Sequence, residues 1–196
     1  MNLPNSLTVT RICLVPLLVV VLLTKFEGRQ ILGMQTEFVG AGIFALASLT
    51  DWADGYLARR RKQITALGQV IDPLADKLLT SAAFISLVQM GLAPAWMVAV
   101  IIGREFAVTA LRSLTYARGV AIPASPLGKV KMIAQVIAIL SLILSAAGEA
   151  AELLWWIGQA ALWVVVITAL VSAADYFRRF NLFPRHDVVA RDDRVA

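Results

Sequence analysis

The sequence predicts an all-α integral membrane protein, in which six transmembrane helices form one domain and leave both termini in the cytoplasm. Two features of the composition predict this class. The 196 residues are 59% hydrophobic, whereas soluble domains are usually less than half apolar. Their mean hydropathy is +0.77. A third observation is that the apolar residues fall into six runs, separated by short polar or turn-forming stretches.

The N-terminal segment, residues 1–10, is mixed in character and is expected to lie along the membrane interface. Pro4 interrupts it, and Asn5 or Ser6 can cap the helix that follows. The first span is placed at about residues 7–24. No basic stretch precedes this apolar run and no cleavage site follows it, so we do not expect a signal peptide.

The second span is placed at about residues 36–59 and contains a polar motif. Its apolar part, residues 38–50, is too short to cross about 30 Å of hydrocarbon. The helix must therefore continue through Asp51 and Asp54. Because polar side chains at membrane depth need a wet environment, this half of the helix is expected to line a cavity.

The third span is placed at about residues 72–90, because Asp72 and Pro73 form a favourable N-cap and N1 pair for a helix. Residues 91–94 then form a tight turn without charge. The last three spans and a charged C-terminal tail follow at about residues 94–116, 129–147, 153–176 and 177–196.

The distribution of Lys and Arg predicts the orientation of the chain. Six spans place both termini on one side, and nearly all the cations lie on that side or at its helix edges. The opposite side holds only Lys25 and Arg29, each near an acid. Because an excess of cations marks cytoplasmic loops, we expect a multi-pass protein of the cell (inner) membrane whose termini and aspartates face the cytoplasm.

The composition also excludes several classes of function. The net charge of +5 suits the cytoplasmic edge of a membrane that contains anionic lipid. Nucleic-acid binding is not expected, because the cations are spread among apolar spans. The single Cys13 cannot form an internal disulfide, and the single histidine, His186, excludes a metal site built from His and Cys.

Four carboxylates lie within 26 residues of this apolar chain. In a helix, Asp51 and Asp54 are three residues apart and Asp72 and Asp76 are four apart, so each pair projects from one helix face. The basic run between them, residues 59–62, is expected to be a hairpin connection. Two helices joined there would direct all four carboxylates at one volume.

Carboxylates this close together cannot all stay ionised without cations, because like charges repel one another strongly. All-oxygen ligation suits Mg²⁺, Mn²⁺ or Ca²⁺, and paired ions at such a site usually serve phosphoryl transfer. Gly55, Ala58 and Gly68 leave room for a ligand, and Arg59 is placed to reach a phosphate. The alternative is a charged helix end that forms ordinary salt bridges with the basic run.

This motif resembles the signature of the CDP-alcohol phosphatidyltransferase family. The signature is Asp, two residues, Asp-Gly, two residues, Ala-Arg, a spacer, Gly, three residues, Asp, three residues, Asp. All eight positions are filled, by Asp51, Asp54, Gly55, Ala58, Arg59, Gly68, Asp72 and Asp76. Eight fixed residues at fixed spacing form a specific signal. The resemblance implies transfer of a phosphatidyl group from CDP-diacylglycerol to an alcohol, with release of CMP.

A second group of charges lies on the predicted fourth and fifth helices. Arg104 and Arg112 are two turns apart and share a helix face, and Lys129 and Lys131 open the next helix. An arginine inside a span is costly and suggests a function, here a pocket for a phosphate or carboxylate. The alternative is that Arg104 pairs with Glu105 or an aspartate while the lysines snorkel. Because adjacent helix positions diverge by about 100°, we expect Glu105 to be a poor partner.

Three stretches, residues 2–11, 104–112 and 128–131, resemble the bacterial branch of this family that makes phosphatidylglycerol phosphate. Met132 departs from that branch, which often has threonine there. The branch implies sn-glycerol 3-phosphate as the acceptor. The family also implies a homodimer in the lipid bilayer.

The resemblance assigns roles to individual residues. The four aspartates hold Mg²⁺ or Mn²⁺, as two ions, and Asp76 is also the general base. The CDP-diacylglycerol site consists of Gly55, Ala58, Arg59 and Gly68. The acceptor phosphate is held by Arg104, Arg112 and Lys129, with Arg118, Lys131 and Thr10 as weaker candidates.

Three other functions stay open at this stage. A sister enzyme would use serine, inositol phosphate or phosphatidylglycerol as acceptor, although the paired arginines favour an acceptor that carries phosphate. A membrane prenyltransferase would need a second aspartate-rich hairpin, and none follows Asp76. A divalent-cation transporter or channel would need carboxylates near the midplane, whereas these lie at one edge beside a basic run that repels cations.

Overall fold

The computed structural model describes residues 3–24, 35–61, 66–117, 126–148 and 150–182. Within these residues the chain forms six α-helices and no strand, which confirms the all-helical prediction. The helices are α1 (Leu3–Leu23), α2 (Thr36–Arg61), α3 (Ala66–Gln89), α4 (Ala95–Ala117), α5 (Pro126–Ser145) and α6 (Ala151–Leu182).

Helix α2 continues without a break through Asp51 and Asp54, as the length of its apolar part requires. Among the described residues, one helical segment, Ala151–Asp175, is long and apolar enough by itself to cross a membrane. The shorter apolar helical segments are Ile12–Leu23, Thr36–Thr50, Lys77–Gln89 and Val130–Ser145. Length and composition thus distinguish α6 from the other described helices, whose apolar segments are shorter.

The predicted cap of the first helix was wrong. Helix α1 begins at Leu3 and includes Pro4, so neither Asn5 nor Ser6 is its N-cap. Proline is tolerated in a first turn, because the N–H that it lacks would have no partner there. Helix α6 continues to Leu182, so the first six residues of the predicted tail are helical.

The start of α3 was also predicted wrongly. The helix begins at Ala66, so Asp72 and Pro73 lie inside it and Asp72 is not its N-cap. The basic run is likewise not a separate connection, because Arg59, Arg60 and Arg61 form the end of α2. A helix embedded among neighbours tolerates an internal proline that an isolated helix would not.

The bundle core is built from side chains of all six described helices. Helix α5 packs most extensively against α6, while α1 packs against both α2 and α3, and α4 packs against α6. The largest side chains with almost no exposure come from every helix, and include Leu18, Phe44, Phe84, Ile101, Leu142 and Leu162. The core is therefore shared by all six helices.

Two glycines allow helices to approach closely. A Cβ built on Gly40 of α2 would lie 2.5 Å from Leu22 Cδ2 of α1, and one built on Gly158 of α6 would lie 2.6 Å from Leu142 Cγ of α5. The Gly158 position would also lie 3.2 Å from the Leu142 backbone nitrogen. Small residues at helix interfaces bring backbones together in this way in membrane proteins.

The predicted turn between α3 and α4 is confirmed and closes as a Schellman motif. Leu92 N–H donates to the Leu87 carbonyl at 2.9 Å, Gly91 N–H donates to the Val88 carbonyl at 3.0 Å, and Gly91 has a φ of 74°. Gln159 of α6 donates to the Leu92 carbonyl at 2.8 Å. This turn lies at the C-terminal end of α3, opposite the end that carries the aspartates.

Candidate functional site

The aspartates lie on two consecutive helices, at similar numbers of residues from the end of α2 and from the start of α3. Asp51 lies ten residues before the end of α2, and Asp76 lies ten residues after the start of α3. Asp54 and Asp72 lie seven and six residues from the same two ends. At about 1.5 Å per residue, the members of each cross-helix pair lie equally far along their helices, at about 15 Å and about 10 Å. This register suits one shared site.

The structure describes the backbone of residues 51–61 and 66–76, but their side chains lie outside the described part. The roles of the signature residues therefore remain predictions. These residues are Asp51, Asp54, Gly55, Ala58, Arg59, Gly68, Asp72 and Asp76.

The charges on α4 and α5 meet in a cluster that also involves α6. Arg104 Nη1 lies 3.0 Å from Glu105 Oε1, and Lys131 Nζ donates to the same carboxylate oxygen. Arg104 Nη2 donates to the hydroxyl of Ser172 on α6. We call Arg104, Glu105, Lys131 and Ser172 the cationic cluster. Their contacts join three helices through polar atoms inside the bundle.

The expectation that Glu105 is a poor partner for Arg104 was wrong. Adjacent positions do leave the helix in different directions, but the arginine side chain is long and ends in donors that point several ways. Lys131 of α5 donates to the same oxygen, so the charged ends of Arg104 and Lys131 both lie at the Glu105 carboxylate. The pairing predicted as the alternative is the one observed.

The cluster carries more positive than negative charge. Side chains of Arg104, Glu105 and Lys131 retain 9%, 17% and 10% exposure. Lys77 of α3 also acts electrostatically on Glu105. Two cations therefore contact one carboxylate, which leaves an excess of one positive charge among Arg104, Glu105 and Lys131.

Arg104 Nε is buried and has no hydrogen-bond partner among the described residues. A buried donor without a partner costs about 1–3 kcal/mol, which is unusual enough to need an explanation. The arginine is thus held by its two outer nitrogens in a position that does not satisfy all of its donors.

The other predicted phosphate ligands are only partly placed. Arg112 lies on α4, Lys129 on α5 and Thr10 on α1, but none of their side chains is among those described. Arg118 lies outside the described residues. Of the predicted acceptor residues, the structure thus brings together Arg104 and Lys131, and it adds Glu105 and Ser172.

A cavity of about 300 Å³ lies between α2, α3 and α5. Its lining is mainly apolar, with Ser48, Thr80 and Gln135 as polar members. Ser48 precedes Asp51 by three residues and Thr80 follows Asp76 by four, so the cavity lies about one helical turn from the aspartates. It reaches the outer surface of the bundle, where four lining residues are exposed: Leu49, Met132, Ile133 and Ile137.

Sequence reasoning missed three residues near these sites. Gln135 follows Lys131 by four residues, a spacing that places both on one face of α5, and this signal was available. Lys77 directly follows Asp76 and was also readable as a nearby cation. Ser172 lies 68 residues from Arg104, and only packing of α4 against α6 identifies it.

Comparison with known proteins adds an independent observation. The family described as CDP-alcohol phosphatidyltransferase matches residues 1–189. A Bacillus subtilis (strain 168) protein named CDP-diacylglycerol–glycerol-3-phosphate 3-phosphatidyltransferase is 46% identical over 184 residues, which cover 91% of this chain and 94% of the relative.

Two further relatives are similar over almost the same length. A Rickettsia bellii (strain RML369-C) protein with the same name is 34% identical over 177 residues, which cover 90% of this chain and 94% of the relative. A Mycobacterium tuberculosis (strain H37Rv) protein named "Probable phosphatidylglycerophosphate synthase" is 39% identical over 178 residues. That match covers 91% of this chain and 81% of the relative.

Proposed function

Because this chain belongs to the CDP-alcohol phosphatidyltransferase family, we propose that it transfers the phosphatidyl group of CDP-diacylglycerol to sn-glycerol 3-phosphate. The products are phosphatidylglycerol phosphate and CMP. The observation that carries this proposal is the complete eight-residue signature, whose aspartates lie on the consecutive helices α2 and α3. The names of relatives that match about nine-tenths of the chain support the choice of acceptor.

The donor set of the signature fits divalent cations. Four carboxylates offer only oxygen ligands, which Mg²⁺ and Mn²⁺ prefer. Elsewhere in the described part of the chain, no group of three or more His, Cys, Asp or Glu side chains is placed to hold a metal ion. We assign the ligands as Asp51, Asp54 and Asp72, with Asp76 sharing the second of two ions. Bound metal would neutralise the diphosphate and stabilise CMP as it leaves.

The chemistry is a displacement at phosphorus. The acceptor hydroxyl attacks the phosphorus that bears diacylglycerol, in line with the leaving CMP. A P–O bond to the acceptor forms while the P–O bond to CMP breaks, and CMP takes that electron pair. Asp76 is the general base that receives the hydroxyl proton. Arg59 assists at the diphosphate, while Gly55, Ala58 and Gly68 leave room for the cytidine.

The excess of positive charge around Glu105 supports an acceptor that carries phosphate. A phosphate monoester has a charge of about −1.5 to −2 at pH 7, and the positive charge of Arg104 and Lys131 in excess of Glu105 attracts such an anion. Arg112 and Lys129 would extend this pocket, with Arg118 and Thr10 as weaker candidates. Serine, which carries no net charge, would leave the positive charge in excess of Glu105 without a counter-ion.

The cavity between α2, α3 and α5 supports a lipid substrate. It is apolar, reaches the outer surface and begins one turn from the aspartates, so an acyl chain can lie in it while the headgroup reaches the motif. Large apolar side chains are exposed on the outside of the bundle, among them Leu46 at 66% and Leu153 at 65%. Such a surface suits a lipid bilayer rather than water.

We further infer a multi-pass arrangement in the cell (inner) membrane, with the aspartate motif facing the cytoplasm. Trp155 and Trp156 at the start of α6, and Trp96 at the start of α4, lie where an aromatic belt at the opposite interface is expected.

A homodimer is also proposed, and cross-linking in native membranes would test it. A cross-linked species with twice the mass of the chain is expected, and a monomer alone would contradict the proposal.

The experiment that tests the activity is CMP release by the purified protein in detergent. The reaction contains CDP-diacylglycerol and Mg²⁺ or Mn²⁺, and glycerol 3-phosphate, serine or inositol 1-phosphate is supplied in turn. We expect release only with glycerol 3-phosphate, and loss of release on chelation. Release with another acceptor would overturn the acceptor assignment. No release with any of them would favour the cation transporter, which metal uptake into vesicles would then test.

A further inference from the structure

We propose that Glu105 is a positioning residue of the acceptor site, which holds the Arg104 guanidinium and the Lys131 ammonium where an acceptor phosphate meets them. The inference rests on the proposed function, because it concerns the acceptor of that reaction. Glu105 itself does not touch the substrate in this proposal. It acts through the two cations that it joins.

The contacts of Glu105 support this role. One carboxylate oxygen, Oε1, accepts from Arg104 of the same helix at 3.0 Å and also from Lys131 of α5. Two cations that would otherwise repel each other are therefore fixed around a single atom. The side chains are 9%, 17% and 10% exposed, so water screens this repulsion little.

Arg104 is fixed from a second direction as well. Its Nη2 donates to Ser172 of α6, while its Nη1 donates to Glu105. Two contacts on different helices determine both the position and the plane of the guanidinium. The buried Nε of Arg104 has no partner among the described residues, so the two contacts hold the guanidinium in place without satisfying all of its donors.

The number of charges matters as much as their positions. A second carboxylate beside Glu105 would neutralise the cluster and remove its attraction for an anion. Arg104 and Lys131, which both contact Glu105, keep an excess of one positive charge over that carboxylate. Glu105 thus brings the cations together without cancelling them, and a phosphate can complete the balance.

The electrostatic and the positioning roles predict opposite effects of removing this carboxylate. If Glu105 acted only by repelling the phosphate, Glu105→Gln would lower the KM for glycerol 3-phosphate. If Glu105 positions the cations, the same change lets Arg104 and Lys131 separate, and the KM rises. We expect a rise of about 30-fold, because breaking one side of a buried charge pair is costly. The KM for CDP-diacylglycerol should change less than about twofold.

The experiment compares Glu105→Gln, Glu105→Asp and Glu152→Gln by steady-state CMP release in detergent. Glu152 lies in the first turn of α6, is exposed, and serves as the matched control with unchanged constants. Glu105→Asp keeps the charge on a shorter side chain, so a rise of only about threefold in the acceptor KM is expected. If Glu105→Gln does not fold, the acceptor KM of Glu105→Asp decides alone. A raised KM supports the positioning role, and an unchanged or lowered KM overturns it.

The outcomes separate this inference from the proposed function. Wild-type protein that releases no CMP with glycerol 3-phosphate would overturn both. Wild-type activity together with an unchanged or lowered acceptor KM in Glu105→Gln would overturn the positioning role and leave the proposed function standing. A purely structural role would reduce the amount of folded enzyme and leave the acceptor KM unchanged, which would also overturn the inference.

Discussion

The aspartate motif on α2 and α3 and the cationic cluster on α4, α5 and α6 handle charge in opposite ways. The motif holds four acids among small and apolar residues, with Arg59 as the cation of its signature. The cationic cluster contains its own counter-ion, Glu105, which binds two cations at once. In the proposed mechanism the acidic region depends on ions from outside the chain, whereas the basic region is organised without a bound ligand.

The two regions also differ in the sequence distance between the residues that form them. The aspartates belong to consecutive helices, at similar numbers of residues from the end of α2 and from the start of α3. The cationic cluster joins helices whose residues are 26 and 68 positions apart, so only packing brings them together. Changes in the first region should affect chemistry, while changes in the second should affect both binding and stability.

The largest effect is expected from Asp51→Asn. An amide cannot replace a carboxylate as a charged metal ligand, so turnover should fall by at least about 1,000-fold with folding unchanged. CMP release and thermal unfolding in detergent would measure the two properties. Asp192→Asn, outside the signature, is the control and should retain full activity. Activity close to wild type in Asp51→Asn would remove the aspartate motif from the mechanism.

The cationic cluster should respond asymmetrically to loss of its members. Glu105→Gln leaves Arg104 and Lys131 without a counter-ion and should destabilise the fold by about 3–5 kcal/mol. Lys131→Met leaves Glu105 paired with Arg104, and should change stability by less than about 1 kcal/mol. The double variant should be more stable than Glu105→Gln alone, because one buried cation has been removed. Equal effects of the two single changes would contradict this account.

The lipid cavity should discriminate by chain length. Ile137→Trp puts a large side chain into the cavity lining, and should raise the KM for long-chain CDP-diacylglycerol by about tenfold. A short-chain analogue should be affected much less, because its acyl chains need less of the cavity. Ile167→Trp is the matched control, since Ile167 is exposed on α6 and does not line the cavity. Equal KM changes in both variants would contradict an acyl-chain role.

A smaller effect on stability than that of Glu105→Gln is expected at Gly158 of α6, where that helix closely approaches Leu142 of α5. Gly158→Ala adds a Cβ that would lie 2.6 Å from Leu142 Cγ, and should destabilise the protein by about 1–2 kcal/mol. Gly42→Ala adds a Cβ with nothing within 4 Å, so it should be neutral or slightly stabilising. Thermal unfolding in detergent compares the two. A larger loss of stability in Gly42→Ala than in Gly158→Ala would contradict a tight contact between α5 and α6.

Several features followed from the sequence alone. Hydrophobic runs predicted six helices, and the shortness of residues 38–50 required α2 to continue through Asp51 and Asp54. The signature identified the family because its eight residues are close in sequence and their spacing is itself the signal. Local periodicity and local spacing are properties of the chain before it folds, so they could be recognised without the structure.

Other features were decided only by tertiary structure. The start of α3 at Ala66 contradicts the capping signal at Asp72, because embedding among neighbouring helices outweighs a local preference. The partnership of Glu105 with Arg104 and Lys131 contradicts the rule for adjacent helix positions, because the long arginine side chain reaches the carboxylate that also accepts from Lys131 of α5. Contacts between distant residues depend on which helix faces meet, and the packing of the whole bundle decides that.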